Sequence, residues 1–205
     1  MKNLFFTALL ASLFIQGLQG SIWDEGLNGD LAPAPGASAS SPFGSATVLT
    51  FDLGVNRVKG TMGGDPGDGI PLDRDIFTVT IPVGQQISSI EVLTYTPSGQ
   101  SFYAISSGTT ISLNNGATHL SNMLVKGSGQ ILPTLAAGAY NGGTGLSNPI
   151  PAGTYTIWFQ ETSSVVTYDF AYTVAVVPEP STLALLAVAL AGILTARKRF
   201  RRHSV

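Results

Sequence analysis

The sequence predicts an all-β fold: an antiparallel β-sandwich of jelly-roll-like type, flanked by an N-terminal signal helix and a short C-terminal transmembrane helix. Three observations carry this. Apolar residues alternate with period two through the middle of the chain, and no segment there has a helical period. The chain's 24 Gly and 12 Pro punctuate those runs at short intervals, as turns between strands require. Each end breaks the pattern with an apolar stretch beside basic residues.

The N-terminal element is Met1-Lys2-Asn3 followed by the apolar run Leu4–Ile15. One positive charge before a short apolar run is the layout of a secretory signal peptide, here assigned to residues 1–20. A permanent span needs about 20 apolar residues, more than this run supplies. Export of this kind engages the Sec translocon and signal peptidase. Residues 21–45 follow as an N-terminal segment and linker, with a Pro/Ala/Ser-rich stretch at Leu31–Pro42 that predicts a loose connection.

Residues 46–176 form the predicted sandwich domain. Its clearest strand is Val165–Val176, with Val166, Tyr168, Phe170, Tyr172, Val174 and Val176 on one face. Before it, Tyr155, Ile157 and Phe159 alternate with Thr154, Thr156, Trp158 and Gln160, and Glu161–Ser164 reads as a hairpin turn between the two. A second pair is Asp75–Ile81, with Phe77, Val79 and Ile81 inward, and Ile87–Tyr95. Both Ile81-Pro82-Val83-Gly84 and Ile150-Pro151-Ala152-Gly153 adjoin strands, with Pro suited to the second turn position and Gly to the fourth. Weaker strands are Ala46–Leu53, Asn56–Met62, Ser101–Ile105 and Thr110–Leu113, and the glycine-rich run Gly127–Ser147 reads as loops.

The C-terminal element, 177–205, has three parts: Pro178-Glu179-Pro180, an apolar helix over 181–196, and the basic tail Arg197, Lys198, Arg199, Arg201 and Arg202. The prolines hold the chain extended and end the preceding strand. At about 1.5 Å per residue the helix reaches roughly 24 Å, short of a ~30 Å hydrocarbon core, and snorkelling arginines make up the difference. The basic cluster then stays cytoplasmic, with the body outside.

This ending resembles the PEP-CTERM protein-sorting signal of Gram-negative bacteria. The resemblance implies that a membrane-embedded exosortase recognises Pro178, Glu179 and Pro180, and that the chain is a single-pass intermediate at the inner membrane before release to the cell surface or matrix. The body resembles the pre-peptidase C-terminal family, small β-sandwiches appended to secreted bacterial proteins. The residues concerned are Val58–Met62, Asp73–Gly84 and Ile150–Ile157. Trp23-Asp24-Glu25 and Gly29-Asp30-Leu31 resemble a recurrent start among PEP-CTERM proteins of this type. That family implies an accessory role in adhesion or stabilisation, and exosortase systems suggest exopolysaccharide or biofilm as the setting.

Composition narrows the chemistry. With no Cys, the chain has no disulfide scaffold, thiol nucleophile or thiolate metal site, and two His nearly exclude a multi-histidine centre. Residues 21–177 carry 11 acids against 4 bases, which argues against nucleic acid as a partner of the body. His119 is the body's only histidine, without a Gly-x-Ser-x-Gly elbow, and reads as a solvated loop residue. The chain is therefore expected to be non-enzymatic. Asp65, Asp68, Asp73 and Asp75 in and beside a glycine-rich loop suit calcium, the candidate cofactor, with Asp24, Glu25 and Asp30 able to approach from the N-terminal segment. Trp158 is either a core residue or a platform for stacking on sugar rings. A non-enzymatic exported surface protein is the first functional reading, and a carbohydrate- or calcium-dependent adhesion module is the alternative.

Overall fold

The computed structural model describes residues 19–64, 67, 69–97, 99–114, 119–138, 140, 142–178 and 188. The predicted signal helix, Gln19 and Gly20 apart, and the predicted C-terminal helix and basic tail, Val188 apart, lie outside the described residues. Among those described, no helix is long and apolar enough to cross a membrane.

About half of the chain is strand, in two five-stranded sheets. The first contains β1 (Gln19–Asp24), β3 (Gly54–Gly63), β10 (Val165–Val176), β5 (Gln85–Thr96) and β8 (Gly129–Gln130), in the order β1-β3-β10-β5-β8. The second has the order β2-β4-β9-β6-β7, with β2 at Thr47–Leu49, β4 at Arg74–Ile81, β6 at Ser101–Ser107, β7 at Ser121–Val125 and β9 at Gly153–Gln160. Two short helices complete the body, α1 (Glu25–Asn28) and α2 (Leu132–Ala136). Most pairings are antiparallel as predicted, but β1 and β2 join the sheet edges parallel to β3 and β4.

The sheets pack face to face through the alternating rows read from the sequence. Val166, Tyr168, Phe170, Tyr172 and Val174 of β10 are buried against Tyr155, Ile157 and Phe159 of β9 and Phe77, Val79 and Ile81 of β4. The contacts are largely aromatic, with Phe159 at 5.1 Å from Phe170 and Phe77 at 5.8 Å from Tyr172, edge-on. Val176 leaves the pattern: it is exposed at the end of β10.

The predicted hairpin at Glu161–Ser164 is instead a corner between sheets, since β9 and β10 lie in different ones. Glu161 builds it. Its Oε1 accepts from the backbone N–H groups of Thr162 and Ser163 and from the Ser163 hydroxyl. Two strands that both bury their apolar faces can meet across a core as well as side by side, and period two does not distinguish these. β4 and β5 are joined in the same way through Pro82–Gln85, closed by Gln85 N–H donating to the Pro82 carbonyl at 3.1 Å. Gly84, at φ 82°, takes the third turn position rather than the fourth. Thr110–Leu113 forms only an isolated bridge, Ile111 with Phe43, and Gly127–Ser147 contains β8 and α2.

The Leu31–Pro42 stretch is irregular but not loose. Leu31 is fully buried, Ala32 bridges Ile76, and Gly36 N–H donates to the Leu72 carbonyl. This stretch leads to Phe43, which packs on the outer face of the second sheet with Ile76, Ala104, Ile111 and Trp158.

Candidate functional site

One end of the space between the sheets is closed by acids rather than apolar side chains. On β3 the inward row runs Val58, Gly60, Met62, so glycine occupies one core position. On β4 the inward row runs Asp75, Phe77, Val79, Ile81. Gly60 and Tyr168 are partners in register, as are Asp75 and Phe159. The gap at Gly60 is filled from the N-terminal segment by Glu25: a Cβ on Gly60 would lie 1.9 Å from the Glu25 Oε2. Only glycine permits that approach.

Local structure delivers Glu25 there. β1 pairs with β3 up to Asp24, whose Oδ1 accepts from Gly26 N–H at 3.0 Å and starts α1. The Asp24 Oδ2 pairs with Lys59 Nζ at 2.7 Å, and the hydrogen bond from Lys59 holds its carboxyl below the ordinary range. Glu25 then accepts three bonds, from Thr61 N–H at 2.8 Å, Leu31 N–H at 3.2 Å and the Tyr168 hydroxyl at 3.3 Å. Its carboxylate is thus fixed, with oxygen lone pairs still free.

Glu25, Asp30 and Asp75 each bring a carboxylate oxygen to within 4.8 Å of the other two. Asp75 is 0% exposed, and neither of its oxygens has a hydrogen-bond partner. Oδ1 of the buried Asp73 is likewise without one. Among the described residues no ion pair reaches Glu25, Asp30, Asp73 or Asp75. Burial raises the Asp73 carboxyl to about 7, with Asp30 and Glu25 adding repulsion, and raises Asp30 to about 6, with Glu25 adding to it. Asp75 is pushed well up, first by burial and then by Glu25 and Asp73. Above these groups opens a cleft of about 650 Å³, whose walls include Glu25, Asp30, Lys59, Asp73, Tyr168 and Asp169.

The candidate residues from the sequence divide accordingly. Asp73 and Asp75 meet Glu25 and Asp30 at the cleft, whereas Asp65 and Asp68 lie outside the described residues. Gly60 carried a signal in the sequence that went unused: it interrupts the inward row between Val58 and Met62. Trp158 is 2% exposed, with Phe102 at 4.7 Å and His119 at 6.1 Å, so it offers no open ring face to a sugar. Both faces of β9 are covered, which makes Trp158 a core residue.

His119, expected to be a solvated loop residue, is not in solvent. It is fully buried, and Nε2 donates to the Ser112 carbonyl at 2.8 Å. The same segment that hides Trp158 hides His119, whose ring also packs on Phe102.

The sorting region starts where the body stops. Val177 N–H donates to the Gly84 carbonyl at 2.8 Å, and Pro178 is exposed immediately afterwards. Glu179, Pro180 and the basic residues Arg197, Lys198, Arg199, Arg201 and Arg202 lie outside the described residues. No curated protein matches the sequence. Residues 176–202 match the family model of the PEP-CTERM protein-sorting motif. The chain carries this sorting signal, which implies exosortase-dependent processing of an exported protein, with membrane-anchored transit and then export to the cell surface.

Proposed function

We propose that this chain is a non-enzymatic β-sandwich of the pre-peptidase C-terminal type. In this reading it enters the Sec translocon by its signal peptide, is held as a single-pass intermediate at the inner membrane, and is released by exosortase into the surface matrix or exopolysaccharide. The observation that carries the reading is the sorting motif over 176–202, which begins on the last residue of β10. The last backbone bond of the described body is made by Val177, and Pro178, the first residue of the motif, is exposed immediately after it. The environment of His119 supports a packing role for that residue: its ring is walled in by Phe102 and Trp158 and bonded to backbone.

The test is Glu179→Ala in the native host, with intact-mass measurement of the surface fraction. Wild-type protein should lack the residues beyond the motif, and the variant should remain full-length in the inner membrane. Release of E179A at the wild-type rate would refute exosortase dependence through this motif. The acidic cleft favours the calcium-dependent form of the adhesion reading as the second possibility; buried Trp158 gives the carbohydrate form no support.

A further inference from the structure

We propose that Glu25, Asp30 and Asp75 form a calcium site that locks the N-terminal segment across the end of the two-sheet interior. The cluster alone would be an acidic patch. Asp75 makes it more: it is a fully buried carboxyl facing two other carboxylates, and among the described residues neither of its oxygens has a hydrogen-bond partner or a counter-charge. A buried charge needs a counter-charge or a proton, and buried polar oxygens are otherwise bonded.

The donor set selects the ion. Every ligand is a carboxylate oxygen, and the body has no cysteine and only one histidine, held in the separate outer core. Hard oxygen donors suit calcium or magnesium. Magnesium requires near-ideal octahedral geometry and sheds water reluctantly, whereas calcium accepts 6–8 oxygens in irregular arrangements. Carboxylates from a helix, a loop and a strand, beside a cleft with room for water, fit the less demanding ion. Exported modules commonly hold calcium with Kd on the order of 10⁻⁴–10⁻³ M.

Glu25 is oriented by Thr61, Leu31 and Tyr168, which fixes one ligand before the ion arrives. Asp30 lies on the connection that leads directly to the core residue Leu31. Asp75 lies on β4 of the opposite sheet. The ion would bridge the N-terminal segment and the second sheet while Thr61 and Tyr168 of the first hold Glu25. Asp73 supplies a further carboxylate at the cleft wall.

The experiment uses full-length protein in detergent micelles, stripped with chelator and titrated with calcium or magnesium up to about 10 mM, above the range usual for exported modules. Thermal unfolding and calorimetry are the readouts. Calcium should raise the unfolding midpoint, and magnesium should raise it less. Asp75→Asn and Asp30→Asn should each weaken calcium binding by about tenfold or more, a size typical of damage to a metal's support. Asp30 is exposed, so its variant keeps the test decisive if D75N folds poorly. Gly60→Ala should weaken binding without touching a ligand, by displacing Glu25. No calcium response in the wild type, an unchanged response in D30N and G60A, or an equal response to magnesium would overturn the assignment. None of these outcomes bears on processing of E179A.

Discussion

At the centre of the interior, Tyr103 and Tyr172 bury their hydroxyls against each other at 3.0 Å; at its end, two inward positions along β10 from Tyr172, Tyr168 adjoins a set of carboxyls that repel one another. Both regions contain fully buried polar atoms, the tyrosine hydroxyls in one and the Asp75 carboxyl in the other. Burial raises both central tyrosines above their ordinary range, so they stay neutral and the pair satisfies itself. The acids cannot do the same without protons or a cation. The central tyrosine pair carries its own partner, whereas Asp75 at the cleft has none among the described residues.

Truncating the aromatic centre should have the largest effect. Tyr172→Ala removes a ring packed on Phe51, Phe77 and Phe170 and should cost about 3–5 kcal/mol in denaturant unfolding. Tyr103→Phe leaves the Tyr172 hydroxyl buried and alone, for a loss of about 1–3 kcal/mol. The double change to Phe at both positions should recover much of that loss, because both polar atoms are then gone. Additive losses would show that the hydroxyl pair is not a unit.

The acidic end should reveal itself through pH. Asp73 at about 7, Asp30 at about 6 and Asp75, pushed well up by burial, all bind protons more tightly when folded than the ordinary carboxyl at 3.8. Such groups stabilise the fold below the unfolded value, and the stabilisation is lost as pH rises through the folded values. Facing them are Glu25 of α1, Tyr168 of β10 and the Asp24–Lys59 pair. In chelator, the unfolding midpoint should therefore fall between pH 5 and pH 8, and D75N should flatten the slope. A midpoint that rises over this interval would contradict the contrast drawn between the two regions.

The smallest effect belongs to the cleft rim. Lys59→Ala removes a partly exposed ion pair with Asp24 and should cost about 0.2–1 kcal/mol, vanishing at high salt. A larger, salt-independent loss would mean that Lys59 neutralises the cluster itself.

The aromatic centre was legible in the sequence because alternation reports directly on which face is buried: the span Val165–Val176 and its inward row were both readable. Sheet membership was not. Glu161–Ser164 has turn composition, but whether a turn folds a strand beside its predecessor or across the core depends on distant partners. Asp73 and Asp75 were identified as candidate ligands. Glu25 and Asp30 were named as able to approach them, but which of these acids actually meet depends on contacts more than 40 residues apart in sequence, which no local pattern encodes. His119 was misplaced in solvent, and Trp158 was left open between core and stacking platform, for one reason: a second, smaller core covers the outer face of β9, and a strand buried on both faces looks polar on one when Thr lines it.

β10 is the middle strand of its sheet and also the last strand of the body in chain order. A ribosome delivers it last, so within this sheet the β1–β3 pair and the β5–β8 pair are not joined edge to edge until β10 has emerged. The match to the sorting motif begins at Val176, the last residue of this strand, so the signal follows the seam with no spacer. A chain cut short before β10 would therefore lack both the seam that unites the halves of this sheet and the signal that follows it.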